Sequence, residues 1–138
     1  MSASIVVTPV GRVRSPLTDR AQAPKQGDEG APDAWIELDP AYAAAAQDLR
    51  AGEEVVVLTW LDRGDRATQR VHPRDDPQAP LRGVFSTRSQ DRPNPIGLHR
   101  VRIAAIESVT RLRVHDLEAL DGTPVLDLKP VLDPTRER

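Results

Sequence analysis

The chain has 138 residues, of which 38% are hydrophobic and 29% charged, with a formal net charge of −2. That length suits one domain built on one core, and folding should bury roughly two-thirds of the surface of the extended chain. No unbroken apolar run, Val55 to Leu58 included, approaches the ~20 residues of a membrane span, the amino end carries no secretory pattern, and the lack of cysteine excludes disulfides, thiolate metal sites and thiol nucleophiles.

In chain order, short strands are expected at Ile5 to Val7 and Gly11 to Arg14. Residues 15–33, with Pro16, Pro24, Pro32, Gly27 and Gly30, read as a long surface loop. Trp35-Ile36-Glu37-Leu38 alternates apolar and polar residues, as a strand with one buried face does. One helix is expected over Pro40 to Leu49. Asp39 can cap it, Pro40 suits its first position, Gly52 can end it, and Tyr42, Ala45, Ala46 and Leu49 form its apolar stripe. Glu54 to Trp60 is β-branched and more continuously apolar than the alternating segments, the pattern of a central strand buried on both faces. Leu81 to Phe85, Arg100 to Ile103, Leu112 to His115 and Leu126 to Lys129 complete the strands. Many short strands with one helix imply a mainly β fold, a single compact barrel spanning residues 1–138 with a short tail at 131–138. No Gly-x-Gly-x-x-Gly element follows a strand, so a Rossmann-type fold is not indicated. The charge is unevenly spread, with eleven arginines against six acids between Trp60 and Arg113 and an acidic remainder. That distribution leaves a polyanionic partner and an ordinary solvated face both open.

The stretch Gly83-Val84-Phe85-Ser86-Thr87-Arg88-Ser89-Gln90-Asp91-Arg92-Pro93-Asn94-Pro95-Ile96-Gly97-Leu98 is the most informative. Pro93 and Pro95 fix backbone angles and remove two amide donors, which makes a stiff, non-helical loop suited either to a turn or to holding a ligand. Arg88 and Arg92 offer planar charged forks for a carboxylate or phosphate. Asp121-Gly122 is a tight-turn signal whose backbone groups could read the edge of a base. His72, His99 and His115 lack metal-ligand spacing, and no metal is expected.

These segments resemble the signature of the TsaA-like (TrmO-type) family, Gly-Val-Phe-(Ala/Ser)-Thr-Arg-Ser-Pro-x-Arg-Pro-Asn-Pro-Ile-Gly-(Leu/Met), at every position but Gln90. Val10 to Pro16 is similar to the family's opening strand, Pro24-Lys25-Gln26 to its Pro-Arg-Gln element, and Leu120 to Pro130 to its closing Leu-Asp-Gly-Thr-Pro-Val-x-Asp-Ile-Lys-Pro. The resemblance implies an S-adenosylmethionine-dependent methyltransferase of the 6-amino nitrogen of threonylcarbamoyl-adenosine in tRNA. It implies a cytoplasmic homodimer with the cofactor pocket near the subunit interface. By position it assigns the cofactor to Pro24, Lys25, Gln26, Arg63, Arg88, Leu98, Asp121, Gly122, Thr123 and Pro124. The departures are Gln90 for proline, Asp62-Arg63 where many members have a histidine and a polar residue, and Val131 for an aromatic. The form implied is the short one, ending at Arg138 without the additional carboxy-terminal domain of longer members.

Methyl transfer to nitrogen mainly requires positioning, because the cofactor already carries its leaving group. An adenine amino group is a weak nucleophile, and an acceptor must orient it and take its proton. Asn94, Asp127, Lys129 and Arg92 are the candidates for that role. A small-metabolite methyltransferase and a non-catalytic cofactor-binding module are the alternatives. The small number of aromatics counts against base stacking, and the arginine-rich middle segment counts for RNA.

Overall fold

The computed structural model describes residues 3–21, 23–25 and 28–132. Its strands are β1 (Gly11–Arg14), β2 (Ala34–Leu38), β3 (Glu54–Trp60), β4 (Arg70–Val71), β5 (Arg82–Gly83), β6 (Ile96–Ser108), β7 (Arg111–His115) and β8 (Pro124–Pro130). Six of them close an antiparallel barrel in the order β1-β2-β7-β6-β3-β8, while β4 and β5 pair as a separate ribbon. Closure leaves the barrel no unpaired edge. Among the described residues no helix is long and apolar enough to cross a membrane.

Side chains alternate across the barrel wall, so each strand contributes every second residue to the interior. Val13, Ile36, Val55, Val57, Val101, Ile103, Leu112, Val114 and Val125 fill it, all nearly or fully buried. β3 corrects the expectation of a strand buried on both faces. Val55, Val57 and Thr59 point inward, whereas Val56, Leu58 and Trp60 lie half-buried on the outer wall. A closed single-layer barrel has only one interior, so a continuously apolar strand must leave one of its faces outside.

The expected helix is also shorter than the pattern suggests. Asp39 does cap it, accepting from the Ala41 amide at 2.9 Å, but a 3-10 turn over Pro40–Tyr42 passes into a single α-turn over Ala43–Ala46. Only Ala46 of the stripe is buried, with Leu49 packed partly against the core. Alanine methyls offer little area to bury, so nothing extends the helix past its costly first turn. Ile5 to Val7 forms no strand and is exposed. Leu81 to Phe85 splits into β5 and a 3-10 turn at Val84–Ser86.

Register gives the barrel two distinct ends. At one end Val55 faces Val101 and Pro130, next to the segment that carries the helix; at the other Thr59 faces Gly97 and Val125. Around Thr59 the interior turns polar, with Thr59, His99 and Thr123 the buried polar residues of the described chain. Replacing Ile103 by alanine removes a fully buried side chain from the apolar layers, and urea unfolding should report a loss of about 2–5 kcal/mol. A loss under about 1 kcal/mol would mean that the barrel interior collapses freely around the gap.

Candidate functional site

A cleft of about 470 Å³ opens at the polar end of the barrel. That volume lies in the usual range for small-molecule sites. Its floor is made by His99, Glu118, Ala119, Leu120 and Thr123, and its walls include Pro24, Lys25, Arg63, Arg74, Arg82 and Arg88.

At the floor, the Thr59 hydroxyl lies 2.7 Å from His99 Nε2, and His99 Nδ1 lies 2.6 Å from Glu118 Oε1. A carboxylate only accepts, so Nδ1 carries the proton and in the neutral ring Nε2 accepts from Thr59. Gly97 makes room for this pair, since a Cβ there would stand 2.3 Å from Thr59 Oγ1 and 2.6 Å from His99 Nε2. The role of His99 carries no motif signal. It emerges only from the inward phase of β6 and from the irregular segment after β7 that carries Glu118.

The walls are rich in cations, most of them engaged. Arg20 pairs with Asp91 at 3.3 Å, Arg74 with Glu29 at 2.6 Å, and Lys25 with Asp75. Arg63 donates to the Thr18 carbonyl at 2.9 Å. The side chains of Arg82 and Arg88 make no hydrogen bond or ion pair among the described residues. These two exposed guanidiniums are thus available for an anionic ligand group. Arg74 and Asp75, on the same wall, both hold left-handed backbone angles, with φ of 56° and 58°. Non-glycine residues adopt that region rarely and at a cost.

The signature loop is built as a frame. Arg92 turns back on it, donating to the carbonyls of Val84 at 2.7 Å, Ser89 at 2.8 Å and Thr87 at 3.0 Å. Asp91 accepts from the Asp65 amide at 2.9 Å, and Arg66 reaches the Pro93 carbonyl at 2.8 Å and Asn94 Oδ1 at 3.0 Å. Arg66 also lies over the Trp60 ring, 5.2 Å from its centroid.

The Asp121-Gly122 turn is bonded into the barrel. Gly122 has a φ of +83°, which glycine adopts without strain. Its amide donates to Val13 at 2.8 Å, the Asp121 amide to Leu17 at 2.7 Å and the Thr123 amide to Leu120 at 3.1 Å. The Gly122 carbonyl accepts from Arg12 at 3.0 Å. Three successive amides of the turn are therefore committed within the chain, and none is left as a donor to a base edge.

The sequence-predicted residues thus fall in two places. Pro24, Lys25, Arg63, Arg88 and Thr123 line the cleft, whereas Asp121, Gly122 and Pro124 do not, although Gly122 and Pro124 adjoin Thr123 in the chain. Leu98, Asp127 and Lys129 do not line it. Leu98 and Asp127 both pair with Leu58 and point outward, and Lys129 lies beside Val56, with its Nζ 3.4 Å from Asp127 Oδ2. Asn94 is bonded to Arg66, and Arg92 is engaged by the loop carbonyls. Gln26 lies outside the described residues. No group of three or more histidine, aspartate or glutamate side chains is placed to hold a metal among the described residues.

Comparison with known proteins gives a consistent picture. Residues 12–135 match the family model described as the tRNA-methyltransferase O N-terminal domain. A "Probable S-adenosyl-L-methionine-binding protein" of Methanothermobacter thermautotrophicus is 44% identical over 126 residues, covering 91% of this chain and 89% of the relative. An S-adenosyl-L-methionine-binding protein of Archaeoglobus fulgidus is 39% identical over 125 residues, covering 91% of this chain and 88% of the relative. The crystal structure of TrmO from Pseudomonas aeruginosa superposes with a TM-score of 0.75 at 30% identity, covering 97% of this chain. The chain spans 59% of that solved protein's length.

The cleft also makes a prediction about protonation. Asp75 is held below the ordinary aspartate range, chiefly by the hydrogen bond from Lys25, with burial opposing. A lowered pKa means that the pair is intact above the ordinary value of about 3.9 and is released as pH falls through the lowered one. In a carboxyl ¹³C titration Asp75 should show its midpoint below that value, and Lys25→Met should move it upward. An unmoved midpoint would remove Lys25 as the cause.

Proposed function

The chain belongs to the tRNA-methyltransferase O N-terminal domain family, and from that membership we propose that it binds S-adenosylmethionine in the barrel-end cleft and transfers its methyl group to a nitrogen acceptor. The observation that carries this reading is that the proline-stiffened signature loop and the Asp-Gly-Thr-Pro turn meet at one cleft through Arg88 and Thr123, which are more than thirty residues apart in sequence. The residues fit the cofactor's chemistry. Arg88, without a partner among the described residues, suits the methionyl carboxylate, and Pro24 and Leu120 supply apolar wall. The bound cofactor supplies an activated methyl group, and the chain has to orient and to exclude water.

The acceptor we propose is the 6-amino nitrogen of threonylcarbamoyl-adenosine in tRNA, in a cytoplasmic setting. Cations along the walls, including Arg82, support a polyanionic partner. One observation favours a small metabolite instead, namely that the cleft walls carry no phenylalanine, tyrosine or tryptophan on which a base would stack. Titration calorimetry should detect S-adenosylmethionine binding, and Arg88→Ala should weaken it on the order of tenfold or more. TRNA from a deletion strain should lose the methyl group on its threonylcarbamoyl-adenosine by mass spectrometry. Heat-free titration at millimolar cofactor would sink the cofactor reading, and an unaltered tRNA profile would move the acceptor to a metabolite.

We further propose a homodimer in which the outer wall of one subunit closes the cleft of the other. Support comes from Leu98 and Ile96, each 48% exposed beside Leu58 and Trp60 on a wall that also carries Asp127 and Lys129. Such a wall is the kind of apolar patch that partners cover. Arg88→Ala and Asp127→Asn, each impaired alone, should recover methyl transfer when co-expressed and mixed within dimers. Failure to recover, with a one-chain mass by sedimentation, would confine the site to a single subunit.

A further inference from the structure

Most of the chain's polar clusters are accounted for by surface pairing. Glu37 binds Arg14 and Arg111, Glu54 binds Arg100 and Arg102, and Asp33 binds Arg113 and His115. These are exposed pairs on the barrel wall, of the kind worth little individually. The Thr59–His99–Glu118 chain differs from all of them. It lies at the inner end of the cleft, with the His99 side chain only 4% exposed and that of Glu118 18% exposed.

From this geometry we infer that Glu118 is a ligand-binding residue, its carboxylate accepting a hydrogen bond from an O–H or N–H donor of the bound nucleoside cofactor, and that His99 and Thr59 are positioning residues that hold it there. The inference rests on the cofactor reading above and adds a recognition element to the same cleft. Three observations carry it. Glu118 Oε1 is taken by His99, while Oε2 has no partner among the described residues and is not sealed from the cleft. A carboxylate drawn largely out of water with one oxygen left unpartnered is costly unless a donor arrives. The chain on either side of it is anchored in the interior, since Leu117 and Ala119 are buried. The other cleft carboxylates are already paired, Asp75 with Lys25 and Asp91 with Arg20, or lie exposed, as Asp62 does.

The placement also sets a polarity. Guanidiniums stand along the walls and a single half-buried carboxylate stands at the floor, so a ligand with an anionic group at one end and donor groups at the other is oriented in one direction only. Thr59 closes the chain on the core side. It is fully buried and has His99 Nε2 as its side-chain partner, which fixes the ring and so the carboxylate.

The test is calorimetry on the full chain with S-adenosylmethionine and with 5′-methylthioadenosine, which keeps the nucleoside but lacks the amino-acid group. Glu118→Gln keeps size and the His99 contact and should weaken S-adenosylmethionine on the order of tenfold or more, as for the loss of a charge-assisted hydrogen bond. An equal loss with methylthioadenosine assigns the donor to the nucleoside. A loss seen only with S-adenosylmethionine assigns it to the α-ammonium group and overturns the nucleoside assignment. His99→Asn, which can still donate from the Nδ1 position, should bind within about threefold of the parent, whereas His99→Leu should lose as much as Glu118→Gln. The double variant His99→Leu/Glu118→Gln should be no worse than either single one, as expected for residues acting as one unit. Should His99→Leu fail to fold by circular dichroism, Glu118→Gln decides alone. Parent-like affinity in a folded Glu118→Gln overturns the inference while leaving the cofactor reading standing; absence of binding by the parent chain removes both.

Discussion

The site depends on the closure of the barrel by β8. This strand pairs with β3 along one edge and with β1 along the other, and its register against β3 shifts at Leu58/Thr59. The shift accommodates one extra residue, Leu126, and lets Val125 face Thr59 while Asp127 faces Leu58. A bulge of this kind bends a strand and re-aims its side chains. Here it brings the start of β8, and the turn before it, to the polar end of the barrel. Without that closure Thr123, His99 and Glu118 would have no common cavity to line.

Two arginines of the signature loop, four residues apart, have opposite roles for a physical reason. Arg92 is half-buried and meets three backbone carbonyls that the loop's irregular course leaves without strand partners. Satisfying those acceptors with a charged fork stiffens the loop more than the prolines alone can. Arg88 stands on the exposed side of the same frame and keeps its charge available. One arginine builds the frame and the other lines the cleft, a distinction that no inspection of the Arg-x-x-x-Arg spacing provides.

Much of the barrel is legible in the chain itself. β2 and β7, the middle of β6 and most of β8 follow from period-two alternation, because each strand has one face in a single apolar interior. Prolines and glycines mark the signature stretch and the Asp-Gly-Thr-Pro segment as stiff or tight turns, and it is the resemblance to the family signature that links the two. The misreadings occurred where local signals compete with the whole. Ile5 to Val7 has strand composition but no partner strand in the described chain, and the alanine-rich segment has helix propensity but too little apolar side chain to extend it. β3 carries apolar residues on both faces, and only the closed topology determines which face is interior.

By itself, then, the amino-acid order determined the class of fold, through short-range periodicity, and, through its resemblance to a known signature, the family and two of the segments that meet at the cleft. Tertiary structure alone decided the rest. It separated Leu98, Asp127 and Lys129 from the cleft by the phase of their strands, and it joined Thr59, His99 and Glu118, which lie in three different segments, into one hydrogen-bonded chain. The reason is that a strand's phase and a contact between distant segments are set by register, and register is fixed only when every strand has found both of its neighbours.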